Sequence, residues 1–172
     1  MNRHRIGTSL YAGSLFTLLG VIAWLSGEPF IFPSLGPSAF ILAFERRGER
    51  TRAYPVVGSH LIGGIAGFLA YSALAAGVTL TTTPPPASID GLRLATSGVL
   101  SIVLTAWGMI ATDAIHAPAC ATTLIVSLGL LSTPLQVSII AVSVAILVGF
   151  HRTTLWIFRR VASSTHPRSL AE

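Results

Sequence analysis

The sequence predicts an all-α membrane protein: a helical bundle of four full transmembrane helices plus two short broken, half-helix segments, arranged as an inverted repeat. Three observations point there. The 172 residues are 52% hydrophobic and only 10% charged, with a mean hydropathy of +0.73, whereas soluble domains carry about 25% charged residues. Four apolar stretches reach the roughly 20 residues that a spanning helix needs. Two more are interrupted by proline and glycine, and the pattern recurs half a chain later. A soluble enzyme, a nucleic-acid-binding domain and a disordered chain are excluded on composition. The net charge of +5 does not restore a nucleic-acid partner, because all eleven basic residues are Arg and sit in short segments between apolar runs. Charges flank membrane helices in that way.

The first stretch, 8–26, follows Arg3 and Arg5. It is long and lacks an Ala-x-Ala site, so it reads as an uncleaved helix rather than a signal peptide. The second, 30–44, contains Pro33 and Pro37, which do not both fit inside one helix. Phe30–Gly36 is expected to be extended, with a short helix starting at Pro37, the favoured first helical position. About seven extended residues at ~3.3 Å and seven helical ones at ~1.5 Å just cover a ~30 Å hydrocarbon core. A re-entrant loop competes with that reading. The third stretch, 56–78, carries Gly63, Gly64 and Gly67; its Gly-x-x-x-Gly reads as close helix packing. The 79–91 connection has no basic residue. The fourth stretch is 92–111, the fifth, 114–131, is broken at Pro118, and the sixth is 135–158.

The arginines favour six crossings. Arg46, Arg47, Arg50 and Arg52 follow the second stretch, and Arg152, Arg159, Arg160 and Arg168 close the sixth. If every segment crosses, these clusters share one side with the N terminus. By the positive-inside rule that side is the cytoplasm, so both termini are expected in the cytoplasm of a bacterial-type inner membrane. Residues 1–172 read as a single transmembrane domain with halves 8–78 and 92–158.

The halves share a weak motif. Gly36-Pro37-Ser38-Ala39-Phe40 aligns with Cys120-Ala121-Thr122-Thr123-Leu124 at an offset of 84 residues. The same offset carries the first helix onto the fourth and the third roughly onto the sixth. Each half is then long helix, broken segment, long helix, and three crossings per half invert the second half relative to the first. Inverted repeats with discontinuous helices recur in transporters. A helix starting at membrane depth presents unpaired N–H groups and a partial positive charge. Two starts, at Ser38 and near Ala119, facing one another would form an anion site, with the hydroxyls of Ser38, Thr122 and Thr123 as further donors.

Ionisable groups inside spans are functional candidates by default. Here they are His60, Asp113 and His116. The histidines, with an ordinary pKa near 6.5, would flank a path, bind an anion or carry a proton; the plainer reading has each one capping a chain break. Asp113 is expected near the cytoplasmic mouth, capping a helix start, or paired with His116 in gating. His60, His116 and Cys120 raise a metal or redox reading, but no His-x-x-His or Cys-x-x-Cys spacing supports it. No metal or cofactor is expected. The single cysteine excludes an internal disulfide, and Walker-type and Gly-x-Ser-x-Gly patterns are absent.

These residues resemble those of a known family. Ile115-His116-Ala117-Pro118-Ala119-Cys120-Ala121-Thr122-Thr123-Leu124 resembles the His-Pro-Pro-Ala-Gly-Ala signature of the HPP family of membrane proteins. Leu35-Gly36-Pro37-Ser38-Ala39 resembles that family's Phe-Gly-Ala-Ser-Ala stretch, and Gly58-Ser59-His60 its Gly-x-His. The similarity covers roughly residues 10–155. This chain departs from the signature at Ala117, where the family has Pro, and at Cys120, where it has Gly. The resemblance implies a small-anion permease with nitrite the leading substrate, since some plastid and cyanobacterial members are linked to nitrite transport. The expected binding residues are Gly36, Pro37, Ser38, Ala39, His60, His116, Ala119, Cys120, Thr122 and Thr123. A sensor or assembly subunit without transport, or a metal/redox protein, are the competing readings. One 172-residue subunit is small for a transporter, so a homo-oligomer is expected.

Overall fold

The structure, a computed structural model, describes residues 3–46, 48 and 51–164; Arg47, Arg50 and Arg168 lie outside them. The described residues form α1 (Arg3–Ser26), α2 (Leu35–Phe44), α3 (Ala53–Ala70), α4 (Ile89–Ala111), α5 (Ala119–Ser127) and α6 (Pro134–Ser164). A π-helical turn, Tyr71–Ala75, extends α3. By length and composition α1, extended α3, α4 and α6 are able to cross a membrane. At 10 and 9 residues, α2 and α5 reach only about half of a ~30 Å core at ~1.5 Å per residue. The expected architecture of four full helices and two half-helices is the one observed, and no strand occurs among the described residues.

The bundle buries a polar seam beside an apolar core and is apolar outside. In α4 the buried stripe reads Leu94, Ser97, Ser101, Thr105, Met109, at helical spacing. Its outward face carries Val99, Val103, Trp107 and Ile110, each more than half exposed. In water such a surface is unfavourable at roughly 25 cal/mol per Å²; facing lipid it is not. The apolar core lies where α1, α2, α5 and α6 meet, around Leu15, Leu19, Leu35, Leu42, Val126, Ile140, Val144 and Leu147.

Glycines let the half-helix α5 sink against α3. A Cβ on Gly63 would lie 2.8 Å from the Ala119 carbonyl oxygen and 2.7 Å from Thr123 Oγ1, and one on Gly67 would lie 2.7 Å from the Thr123 carbonyl oxygen. The Gly-x-x-x-Gly therefore packs within the subunit. It also fixes depth: Gly63 is the eleventh residue of α3, so α5 starts about halfway along that helix.

The half-helices lead to opposite ends of α3. The chain leaves α2 into the loop that begins α3, whereas Leu128, just past α5, accepts a hydrogen bond from Leu80 N beyond the far end of α3. Tyr54, in the first turn of α3, donates to the Thr112 carbonyl at the end of α4 (2.7 Å). Each broken segment thus carries the chain from one end of the bundle to the other. At the far end Arg93 donates to the Leu74 and Ala76 carbonyls (3.0 and 3.1 Å), closing the exposed end of α3.

Two sequence expectations are corrected. The second segment's helix starts at Leu35, with Ser34 before it, and not at Pro37. Proline is tolerated anywhere in a first turn, where N–H groups lack helical partners, so Pro37 takes the third position. Asp113 caps no helix start. It sits at φ +53, with its N–H on Ile110 O and that of Ala114 on Met109 O. This is the left-handed stop that ends α4. The side chain is exposed, and no hydrogen bond joins it to His116 among the described residues.

Candidate functional site

The first turns of α2 and α5 meet in the middle of the bundle. α5 begins 84 residues after α2, at Ala119 against Leu35, so Ser38 and Thr122 hold the same position, fourth in each helix. The entry to α5 is a tight turn with Ala119 N on His116 O (3.0 Å) and Cys120 N on Ala117 O (3.0 Å). Pro118 opens the helix at φ −56. The break before α5 persists although Ala117 stands where the family signature has a second proline. Placing His116 just before this turn directs its ring at α2.

Five side chains then form one buried hydrogen-bonded chain. Ser38 Oγ lies 3.0 Å from His116 Nε2 and 3.0 Å from His60 Nε2. His60 Nδ1 is 2.6 Å from Thr122 Oγ1, which is 2.6 Å from Ser34 Oγ. Ser34, Ser38, His60, His116 and Thr122 are all at most 3% exposed. The imidazole centroids are 5.5 Å apart.

The donor count gives the network a direction. A serine hydroxyl has one proton, and Ser38 directs it to the Ser34 carbonyl at 3.2 Å. With that proton on the Ser34 carbonyl and each ring protonated at Nε2, both imidazoles donate to Ser38 Oγ. His60 Nδ1 becomes an acceptor and takes the Thr122 proton, and Ser34 donates to Thr122. Every bond is satisfied with two neutral rings. Two N–H donors thus converge on one oxygen, between two helix N-termini. Polar groups buried in this way are stable only when fully paired.

Not all expected residues join this chain. Thr123, one position and ~100° further round α5, instead meets Thr105 Oγ1 at 2.8 Å and donates to Ala119 O at 3.1 Å. Ala39 belongs to the apolar core, Pro37 is exposed and Cys120 half-buried. Ala119 acts through its carbonyl, and Gly36, beside Ser38, has open space where a Cβ would stand. Ser34 is the participant that sequence reasoning missed; Thr105, the partner of Thr123, lies outside the chain and was missed as well. Among the described residues no group of three His, Cys, Asp or Glu side chains comes together.

No curated protein and no solved structure gives a significant match to the chain. The family model described as "HPP, transmembrane region" matches residues 3–167. With nearly the whole chain matched and four apolar helices able to span a membrane, the protein belongs to the HPP transmembrane family of integral membrane proteins.

Proposed function

We propose that the protein carries a small inorganic anion, nitrite foremost, across the membrane through the site between α2 and α5, without enzymatic chemistry. The carrying observation is the convergence of His60 and His116 on the single oxygen of Ser38, with both half-helix N-termini alongside. In this state the hydroxyl occupies the place an anion oxygen would take. Rotation of Ser38 about χ1 frees both Nε2–H donors at once, and the partial positive charge of two helix starts favours an anion there.

The alternation of full and half helices, with α2 and α5 leaving the centre in opposite directions, supports the inverted repeat. Arg46, Arg52, Arg152 and Arg159 gather at one end of the bundle, which supports a cytoplasmic location for that end. A homo-oligomer remains part of the proposal, since one 172-residue subunit is small for a transporter.

Uptake into proteoliposomes tests the proposal, with wild type, Ser38→Val and His116→Ala compared for nitrite, nitrate, formate and chloride, with and without a pH gradient. Empty liposomes are the control, because nitrous acid crosses bilayers unaided. Saturable entry above that control, lost in both variants, is expected. Entry equal to empty liposomes for every anion would overturn transport in favour of a sensor or assembly role.

A further inference from the structure

A second polar space lies at the end of the bundle where α3 begins, between the α2–α3 loop and the last turns of α6. It is a cavity of about 530 Å³ lined by Arg46, Arg52, Arg152 and Arg159, and none of its described lining residues is acidic. Its wall is ordered from beneath. His151 is 1% exposed, and its Nδ1 is 2.9 Å from the Tyr11 hydroxyl. The Arg46 guanidinium lies over the Tyr11 ring, 5.0 Å from its centroid, and donates from Nε to Ala43 O at 3.2 Å. Arg46 is thereby held by α1 and α2, with His151 of α6 bracing Tyr11. Arg152 and Arg159 make no hydrogen bond or ion pair among the described residues, and Glu45, in the neighbouring loop, is not part of the lining.

Arg46, Arg152 and Arg159 bring three guanidinium groups to one cavity beside Arg52, and a multiply oxygenated anion relieves their mutual repulsion. The planar fork of arginine fits phosphate oxygens two at a time. The volume falls within the ~300–1,000 Å³ typical of ligand sites. An adjoining space of about 610 Å³ shares Arg152 and Arg159 and runs along α6 to Trp156. Arg160 covers the ring of Trp156 at 4.0 Å. Tryptophan and arginine at a helix end mark headgroup depth, so the cavity opens where lipid phosphates lie. Basic pockets between helices at that depth suit anionic headgroups.

We propose that this cavity binds a phosphate group, carried by an anionic phospholipid or by a soluble phosphate compound, at a site separate from the central one. The full chain in mild detergent would be compared with Arg152→Gln/Arg159→Gln and with Arg93→Gln at the opposite end. One arm incubates each protein with phosphatidylglycerol or phosphatidylcholine and counts retained lipid by native mass spectrometry. The other follows the thermal midpoint in sodium pyrophosphate against sodium chloride of equal ionic strength. Selective retention of phosphatidylglycerol, roughly 10–30-fold weaker in the double variant and unchanged in Arg93→Gln, supports the site and identifies lipid as its source. Stabilisation by pyrophosphate with the same variant pattern supports it with a soluble source. Binding undiminished in the double variant, equally diminished in Arg93→Gln, or absent for both probes in wild type overturns it. Should the double variant not fold, the two single glutamine variants carry the same readouts.

Discussion

Replacing Gly63 by alanine tests how the half-helix α5 is held. The new Cβ would stand 2.8 Å from the Ala119 carbonyl oxygen and 2.7 Å from Thr123 Oγ1, where ordinary contact begins at 3.4 Å. Relief requires α3 and α5 to separate by about 0.6 Å, the gap between 2.8 and 3.4 Å, because a backbone carbonyl cannot rotate away as a side chain can. Overpacking of this kind costs about 1–3 kcal/mol; the rigid obstacle places it near ~3, and helix propensity returns ~1. The net loss of ~2 kcal/mol lowers the melting temperature by roughly 4–8 °C for a chain of this size. The lone cysteine, Cys120, is the second residue of α5, so reaction with a thiol-sensitive dye during heating reports on that helix directly. Gly13→Ala is the control. Nothing lies within 4 Å of its Cβ, and only the propensity gain is expected. Gly64→Ala should be nearly neutral, since its obstacle at 3.2 Å is the methyl end of Val137. If Gly63→Ala melts within about 1 °C of Gly13→Ala, α5 is not seated on α3 as described.

Three further outcomes follow from the same geometry. Thr122→Val keeps the volume but strands His60 Nδ1 and the Ser34 hydroxyl, both bonded at 2.6 Å; at ~1–3 kcal/mol for each buried orphan, a fall of at least ~4 °C and loss of anion uptake are expected. Thr123→Val breaks only the bonds to Thr105 and Ala119, and should lower the melting point while sparing uptake; equal uptake loss in both variants would refute the division between these neighbours. Gly129→Ala places a Cβ at φ +76, 2.5 Å from the Val78 carbonyl oxygen, and is expected to cost about 2–4 kcal/mol, read as reduced folded yield and earlier dye reaction.

Much of this arrangement was legible in the sequence because a membrane makes residue types informative. Prolines 33, 37 and 118 interrupt otherwise apolar runs, and a break at membrane depth has few tolerated uses. The rarity of ionisable groups singled out His60 and His116, and their shared partner Ser38 stood out as a hydroxyl leading into an apolar helix. Ser34 and Thr105 did not stand out. Serine and threonine are common along this chain, many of them bonding back to their own helix, as Ser9, Thr17 and Ser143 do. Only tertiary pairing separates a bridging hydroxyl from those. Thr123 was grouped with Thr122 because adjacency in sequence hides the ~100° turn between their directions. Asp113 was misassigned because the same residue type that starts helices also tolerates the left-handed conformation that ends them.

The facing starts of α2 and α5 have an electrical consequence. Their axes lead away from a common centre toward opposite ends of α3, so their dipoles oppose one another across the bilayer while their positive ends add at the centre. The pair itself is therefore almost insensitive to the transmembrane voltage. A charge resting between them lies near the midpoint of the field, where it senses about half of the ~2.3 kcal/mol per 100 mV that a full crossing involves. For the proposed anion, entry from either face would carry nearly the same voltage dependence, and any rectification would have to arise from the ends of the bundle rather than from its centre.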